Sequence, residues 1–429
     1  LAIDIGTTTI VVYLVDMTDG RILAATSGHN RQSACGDDVI NRIVCAEKNG
    51  VKKLSTLALS TINTLIKEAV DGVGVDYKEI HNIVVSGNTT MTHLLLKIEP
   101  RYIRREPYIP SISEFPVLKG GNIGLKANPN AAVYMMPGPA SYVGGDIVSG
   151  VLYSGLHREA EMTLFIDVGT NGEIVLGNRD WLICASCSAG PAFEGGGIRW
   201  GMRAEEGAIE SIAIDRHTFD PSLKTIGDEP PRGICGSGMI ELLSEMMISG
   251  IIDQRGKFQL PADHPRMGAI GDEPAYILAY ADETPMEEDL VYTESDIDNL
   301  LRSKGAVYAG FTVLLNQVGV SFDMIDRVII TGGFGQFLDI EKSVAIGLLP
   351  DIERDKFQYY GNSSIGGAYM ALLSDAQRQT AGAICHAMTY LDFSTNTSFM
   401  DEFTSALFLP HTNMEQFPRI MKQLKETAN

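Results

Sequence analysis

Apolar residues recur along the chain in two patterns, short runs of strand-forming residues and longer segments with helical spacing. The stretch LAIDIGTTTIVVYLVD predicts a strand, a tight Gly-Thr turn and a second strand. Much later, MTLFIDVGTNGEIVLGN predicts the same unit again. Segments such as LSTLALSTINTLIKEAVDGVG have helical spacing and end at glycine. The chain therefore reads as two similar halves in which strands alternate with helices, which predicts an α/β fold.

Composition and charge narrow the kind of protein. The 429 residues are 45% hydrophobic and 21% charged, as in globular chains of two or three domains. The net charge of −20 disfavours nucleic acid and anionic membrane surfaces as partners, because both attract basic faces. Six scattered cysteines indicate a reducing cytoplasm rather than a disulfide framework. Leu1 already lies inside a predicted strand, so we expect this chain to be a fragment.

The two matched turns carry the groups that a phosphate site needs. Gly6 and Gly169 have no Cβ, so the backbone can approach an anion closely. Further donors come from hydroxyl and amide side chains of the turns, namely Thr7, Thr8, Thr9, Thr170 and Asn171. Asp4 and Asp167 would repel phosphate directly, and we expect them to act through Mg²⁺, largely by way of its bound water. One such turn is also ordinary hairpin chemistry, but two matched copies favour a shared nucleotide site.

Two further glycine features follow later in the chain. Gly332 and Gly333 end the apolar run VIIT, where a bare backbone could lie flat against a base or a ribose. On its own a Gly-Gly pair after a strand is usually only a turn. The segment GNSSIGGAYMALLS, which contains Gly366, predicts a glycine turn that leads into a helix.

The order of these elements resembles the nucleotide-binding superfamily of actin, sugar kinases and heat-shock chaperone ATPases. In that superfamily the two turns are called phosphate 1 and phosphate 2, and the strand with paired glycines is the adenosine motif. The resemblance implies an actin-like ATPase fold in which two ribonuclease-H-like lobes close on Mg-ATP. The lobes would span residues 1–157 and 158–374, with a C-terminal tail over 375–429 that packs on them.

Within that superfamily the chain resembles the ATP-dependent reductive activators of corrinoid proteins. The strings that carry the match extend over the whole chain: LAIDIGTTTIVVYLVD, GDDVINRI, VVSGNTTMTHLLL, IDVGTNGEI, GPAFEGGGI, GICGSGMIELL and ALFLPH. This resemblance implies an ATPase that drives reduction of Co(II) to Co(I) in a corrinoid protein of a methyltransferase system, and it implies a homodimer. Family members also carry an N-terminal plant-type 2Fe–2S domain. Its cysteine spacing does not occur in this sequence, so we expect that domain to be missing here.

Several residues admit two interpretations. Asp146 heads the predicted inter-lobe helix, and the matching helix of actin bears a glutamine that positions the attacking water. The resemblance thus implies a catalytic Asp146, whereas an acidic residue at a helix N-terminus is also ordinary. Lys304 resembles a basic side chain that chaperone ATPases place near adenosine, and the alternative is a solvated lysine. Cys184 and Cys187 form one C-x-x-C, which we interpret as two small buried residues rather than a metal or redox pair.

Two other functions fit the same turns. A small-molecule kinase of this fold would use Asp146 as a general base and would yield one phosphorylated product per ATP. A chaperone-like scaffold would bind nucleotide without redox work. No role is predicted for Glu194 or Arg199, which lie in a glycine-rich segment.

Overall fold

The structure is a computed structural model that describes residues 1–332 and 338–427. One six-stranded sheet is built from the first third of the chain. Its strands are β1 (Ala2–Ile5), β2 (Thr9–Val15), β3 (Ile22–His29), β4 (Asn82–Gly87), β5 (Leu118–Lys119) and β6 (Ala132–Met135). They lie in the order β3-β2-β1-β4-β6-β5, with β1 antiparallel to β2 and parallel to β4. Helices packed around this sheet are α1 (Val39–Asn49), α2 (Val51–Val73), α3 (Thr89–Leu96) and α4 (Gly120–Ile123).

A second six-stranded sheet repeats this arrangement around the second turn. Its strands are β7 (Thr163–Val168), β8 (Gly172–Gly177), β9 (Leu182–Cys187), β16 (Arg327–Thr331), β17 (Phe357–Tyr359) and β18 (Met388–Tyr390). The order is β17-β16-β7-β8-β9-β18, and β7 is antiparallel to β8 and parallel to β16. In both sheets the Asp-x-Gly-Thr turn therefore joins an antiparallel pair whose first strand is internal.

Smaller elements surround the second sheet. Two three-stranded sheets comprise β10 (Ala208–Ile214), β11 (Pro221–Thr225) and β12 (Gly233–Ile234), and β13 (Met267–Ile270), β14 (Glu273–Ala279) and β15 (Leu290–Thr293). The helices are α6 (Gly236–Ser249), α7 (Glu294–Val318), α8 (Ile340–Ala345), α10 (Asp375–Ala387), α11 (Thr397–Ala406) and α12 (Pro418–Thr427). Among residues 1–332 and 338–427, no helix is long and apolar enough to cross a bilayer.

Two helices, α5 (Gly145–Ser154) and α9 (Ser363–Leu373), cross between the sheets. Their apolar side chains share one buried cluster with Ala2 and Val84 of the first sheet and with Phe165 and Ile329 of the second. The crossing is close enough that glycine is required, because a Cβ on Gly367 would lie 2.2 Å from the carbonyl oxygen of Ser149. This helix pair therefore connects the two halves by direct backbone contact.

We expect Gly367→Ala to destabilise the protein by about 1–3 kcal/mol, because the added methyl group forces the two crossing helices apart. Gly382→Ala is the matched control, since Gly382 lies inside α10 and a Cβ there would have no neighbour within 4 Å. That control should raise stability by roughly 0.5–1 kcal/mol through helix propensity. Urea unfolding measures both changes, and equal stability of the two variants would contradict the close crossing.

Candidate functional site

The two Asp-x-Gly-Thr turns face a common cleft of about 620 Å³ between the sheets. Most of the predicted site residues line it: Asp4, Gly6, Thr7, Thr8, Thr9, Asp146, Asp167, Gly169, Thr170, Asn171 and Gly332. They come from β1, β7, the turns that follow these strands, the start of β2, the N-terminal turn of α5 and the residue after β16. The cleft therefore brings together groups that are more than 300 residues apart in the chain.

The first glycine amide of each turn is hydrogen-bonded within that turn. The Gly6 amide donates to the carbonyl oxygen of Thr9 at 3.0 Å, and the Gly169 amide donates to that of Asn171 at 3.0 Å. A Cβ on Gly6 would lie 2.6 Å from the same Thr9 oxygen, so a side chain cannot be accommodated there. These two amides are therefore bonded within the turns, and the threonine hydroxyls are the side-chain donors that the turns present to the cleft.

Asp4 is held from the other half of the molecule. Asn362 Nδ2 donates to its Oδ2 at 2.8 Å, and Ser364 Oγ donates to its Oδ1 at 2.7 Å. Ser364 also shares a hydrogen bond of 2.9 Å with Ser86 of β4. Burial raises the pKa of Asp4, and these two hydrogen bonds act in the opposite direction. The N-terminus of α9 thus fixes the carboxylate of the first turn.

Three more carboxyl groups lie beside Asp4. Burial raises the pKa of Asp146 to about 7, and the charges of Asp167 and Asp4 add to that shift. Burial likewise raises the pKa of Asp167 to about 6. Glu173 lies directly opposite Asp167 in the β7–β8 pair, and burial followed by the charges of Asp146 and Asp167 raises its pKa well above the usual range. Ser186 Oγ donates to Glu173 at 3.3 Å.

This carboxyl cluster fits a divalent cation. Carboxyl groups whose pKa is raised by burial and mutual repulsion are relieved by positive charge placed among them. In residues 1–332 and 338–427, no group of three or more His, Cys, Asp or Glu side chains is arranged so that it could hold a metal ion. Mg²⁺ suits that condition, because it binds through one or two carboxylates together with water and phosphate oxygens. Asp4 and Asp167, at the ends of β1 and β7, are the side chains that would hold it.

Asp146 gives a pH-dependent prediction for the protein without nucleotide or divalent cation. Its pKa is raised from 3.8 to about 7 on folding, so its contribution to stability is complete below 3.8 and is lost as the pH rises through about 7. Asp146→Asn removes that loss. We expect the variant to gain stability over the native chain by on the order of 2 kcal/mol between pH 5 and pH 8.

Urea unfolding at the two pH values in a chelator measures this gain. Asp180→Asn is the control, because that side chain is 72% exposed. A stability difference between Asp146→Asn and the native chain that does not change with pH would contradict the buried, protonated carboxyl.

Two residues that the sequence predicted to contact nucleotide, Lys304 and Gly366, do not line the cleft. Lys304 is fully buried, and its Nζ donates to the carbonyl oxygens of Phe408 and, at 2.7 Å, Pro410. Burial lowers its pKa well below the usual range. Its two hydrogen bonds anchor the C-terminal segment, and the side chain does not line the cleft. Gly366 faces the ring of Tyr153 in the crossing of α5 and α9. Both positions are used for packing.

Of the glycine pair after β16, the structure describes Gly332. Gly332 has φ of 101°, and a Cβ there would lie 2.4 Å from the carbonyl oxygen of Val168 and 2.8 Å from Asp167 Oδ1. It therefore lies in the cleft beside the second turn. Gly333 lies outside the described residues.

Cys184 and Cys187 lie on β9, and burial raises the pKa of both thiols. Cys187 Sγ donates to the carbonyl oxygen of Gly172 at 3.2 Å. A buried thiol with a raised pKa is a poor nucleophile and a poor metal ligand. The interpretation as two small packed residues accounts for both.

Sequence reasoning missed four polar residues at the cleft. Asn362 and Ser364 position Asp4, Glu173 faces Asp167, and Glu194 Oε2 accepts hydrogen bonds from Thr8 and Thr170. The position of Glu173 could have been predicted from the sequence, because an antiparallel pair joined by this turn places it opposite Asp167 and on the same face of the sheet. The contacts of Glu194 and Ser364 depend on long-range packing and had no local signature.

Comparison with known proteins gives concordant matches. The family model described as the C-terminal domain of RACo, the ASKHA domain, matches residues 161–421, and the RACo middle region matches residues 1–159. The corrinoid activation enzyme RamQ of Eubacterium limosum is 33% identical over 413 residues, which cover 94% of this chain and 69% of RamQ. The Co(II) methylated amine-specific corrinoid protein reductase of Methanosarcina barkeri is 23% identical, over 93% of this chain and 75% of that protein.

Among solved structures, a reductive activator for a corrinoid, iron–sulfur protein superposes with a TM-score of 0.90 at 51% identity. The superposition covers 97% of this chain and 67% of that one. The predicted actin-like ATPase fold is thereby confirmed.

Proposed function

This chain belongs to the family of reductive activators of corrinoid proteins, and from that premise we propose that it binds and hydrolyses Mg-ATP to drive reduction of Co(II) to Co(I) in a corrinoid protein. The observation that carries the proposal is the convergence of Asp4, Asp146 and Asp167 with both threonine turns in one cleft. Membership of the family supports the proposed reaction, and the lining of the cleft supports the choice of residues that carry it out.

The reaction explains why ATP is needed. Each 100 mV by which a one-electron reduction is uphill costs about 2.3 kcal/mol. Nucleotide binding can supply such energy only through a difference in its affinity for two states of the protein. The α5–α9 crossing is suited to define those states, because it joins the two sheets and its α9 end holds Asp4.

Each side chain at the cleft has a role in this proposal. Thr8 and Thr170 donate hydrogen bonds to phosphate oxygens from opposite sides. Asp146 orients the attacking water and accepts its proton. Asn362 and Ser364 keep Asp4 in place, and Asp4 and Asp167 hold Mg²⁺. When bound, Mg²⁺ neutralises phosphate charge and favours the ionised forms of these carboxyls.

Finer assignments belong to the same proposal. We assign a first lobe to residues 1–157 and a second to 158–374, supported by a first sheet drawn from residues 2–135 and a second that begins at 163. The C-terminal tail, 375–429, supplies β18 to the second sheet and α11 against α7. The cytoplasmic location is supported by six unpaired thiols. The homodimer, the methyltransferase system and a 2Fe–2S cluster outside these 429 residues rest on the family resemblance alone.

The test supplies a purified Co(II) corrinoid protein, a low-potential chemical reductant and ATP under anaerobic conditions. Loss of the Co(II) absorbance and growth of the Co(I) absorbance are followed with ATP and, separately, with ADP. We expect ATP hydrolysis to be stimulated by the corrinoid protein, and Co(I) to form faster with ATP. Absence of nucleotide binding would overturn the proposal. One phosphorylated small molecule per ATP would favour the kinase instead.

A further inference from the structure

One carboxylate oxygen joins the two turns across the cleft. Thr8 Oγ1, on the turn of the first sheet, donates to Glu194 Oε2 at 2.5 Å. Thr170 Oγ1, on the turn of the second sheet, donates to the same oxygen at 3.1 Å. Glu194 follows β9 in the chain and therefore reaches across to the opposite half of the molecule.

These two hydroxyls are the donors that the proposed function assigns to phosphate. An oxygen that accepts from both hydroxyls must lie near the point where Glu194 Oε2 lies, because a hydroxyl hydrogen bond spans only about 2.5–3.0 Å. A phosphate oxygen and a carboxylate oxygen cannot share that position, and their charges repel each other. The carboxylate and a terminal phosphate held by both turns are therefore competitors.

Glu194 lies in a short hydrogen-bonded turn that precedes a run of glycines. The amides of Gly195 and Gly196 donate to the carbonyl oxygens of Ala192 and Pro191, each at 2.9 Å. A Cβ on Gly195 would lie 2.7 Å from the Met202 amide nitrogen, so the backbone here is closely packed. Displacement of Glu194 from the two hydroxyls therefore requires rotation of its side chain rather than movement of the backbone.

The far end of this segment is fixed to a long helix. Asn299 Nδ2 donates to the carbonyl oxygen of Gly197 at 2.8 Å. The Arg199 amide donates to Asp296 Oδ1 at 2.8 Å, within the first turn of α7. The backbone beyond Glu194 is therefore anchored to α7.

We propose that Glu194 is a sensor of the terminal phosphate, a carboxylate that competes with the γ-phosphate of ATP for Thr8 and Thr170. The inference rests on the proposed function, since it takes the cleft as an ATP site. It adds a residue that distinguishes ATP from shorter nucleotides.

Glu194→Gln tests the competition, because it keeps the size of the side chain and removes the charge. We expect its affinity for a non-hydrolysable ATP analogue with Mg²⁺ to rise about tenfold, a change of about 1.4 kcal/mol. Affinity for AMP, which lacks the distal phosphates, should change less than twofold. Glu229→Gln is the control for net charge, since that side chain is exposed, and calorimetric titration measures all affinities.

If Glu194→Gln does not fold, Glu194→Asp replaces it, because the shorter side chain cannot reach both hydroxyls and should also bind the analogue more tightly.

The outcomes separate the two proposals. A native chain that binds no ATP analogue overturns the proposed function and this inference with it. A native chain that binds the analogue, with a variant that binds it equally or more weakly, overturns the sensor alone. Weaker binding would mean that Glu194 helps to hold the nucleotide.

Discussion

Asp146→Asn is expected to lower ATP turnover about a hundredfold or more while the affinity for ATP stays within a few-fold of the native chain. The carboxyl lies at the N-terminal turn of α5 and lines the cleft beside Asp4 and Asp167. Burial raises its pKa to about 7, so it accepts a proton readily near neutral pH. An interaction made only in the transition state lowers turnover without weakening binding.

Phosphate release measures turnover, and calorimetry measures affinity. The native rate should rise with pH through the pKa of this carboxyl, and the variant should lose that part of the profile. Asp180→Asn, on the exposed turn before β9, should retain native turnover. The structure also gives Asp146 a local role, because its Oδ1 accepts the Ile147 amide at 2.9 Å. Native turnover in Asp146→Asn, which keeps this acceptor oxygen, would leave only that role.

Asp4→Asn and Asp167→Asn are each expected to weaken Mg-ATP binding by roughly 10- to 100-fold, the range typical of groups that hold or orient a metal and its shell. The two side chains lie at corresponding positions of β1 and β7, and each is buried among other carboxyls rather than paired with a cation. Removing either charge should therefore reduce cation affinity. Affinity for ATP in a chelator should change little or rise, because one repulsive charge is gone.

Titrations of ATP with and without Mg²⁺ separate these effects within each variant. Thermal stability without nucleotide serves as the folding control. We expect it to stay close to that of the native chain, because removal of a carboxylate charge stabilises the fold while Asp4→Asn loses one of the two hydrogen bonds from Asn362 and Ser364. Undiminished Mg-ATP affinity in both variants would remove Asp4 and Asp167 from the metal site.

Local chemistry accounts for what the sequence determined correctly. The strand-turn-strand units were visible because side-chain alternation and the glycine requirement of a tight turn are encoded within a few residues. The α/β class followed from the alternation of these units with helical segments. Repetition of the Asp-x-Gly-Thr turn selected Asp4 and Asp167, which line one cleft, and their roles stay predictions. The corrinoid-activator family and the role of Asp146 were both implied by resemblance; the comparisons confirm the family, and the role of Asp146 stays a prediction.

The tertiary structure decided where long side chains and glycines are used. Lys304 and Gly366 looked suitable for a nucleotide, but a lysine in a buried helix can bond to any carbonyl that packs over it, and a glycine can serve any close crossing. Glu173 became a cleft residue through strand register, and Ser364 and Glu194 through contacts across 360 and 186 residues of chain. Such contacts depend on how two sheets and two crossing helices pack. The free energy of this packing is distributed over many residues. A local pattern fixes the turns, whereas the partners that face them are set by packing at a distance.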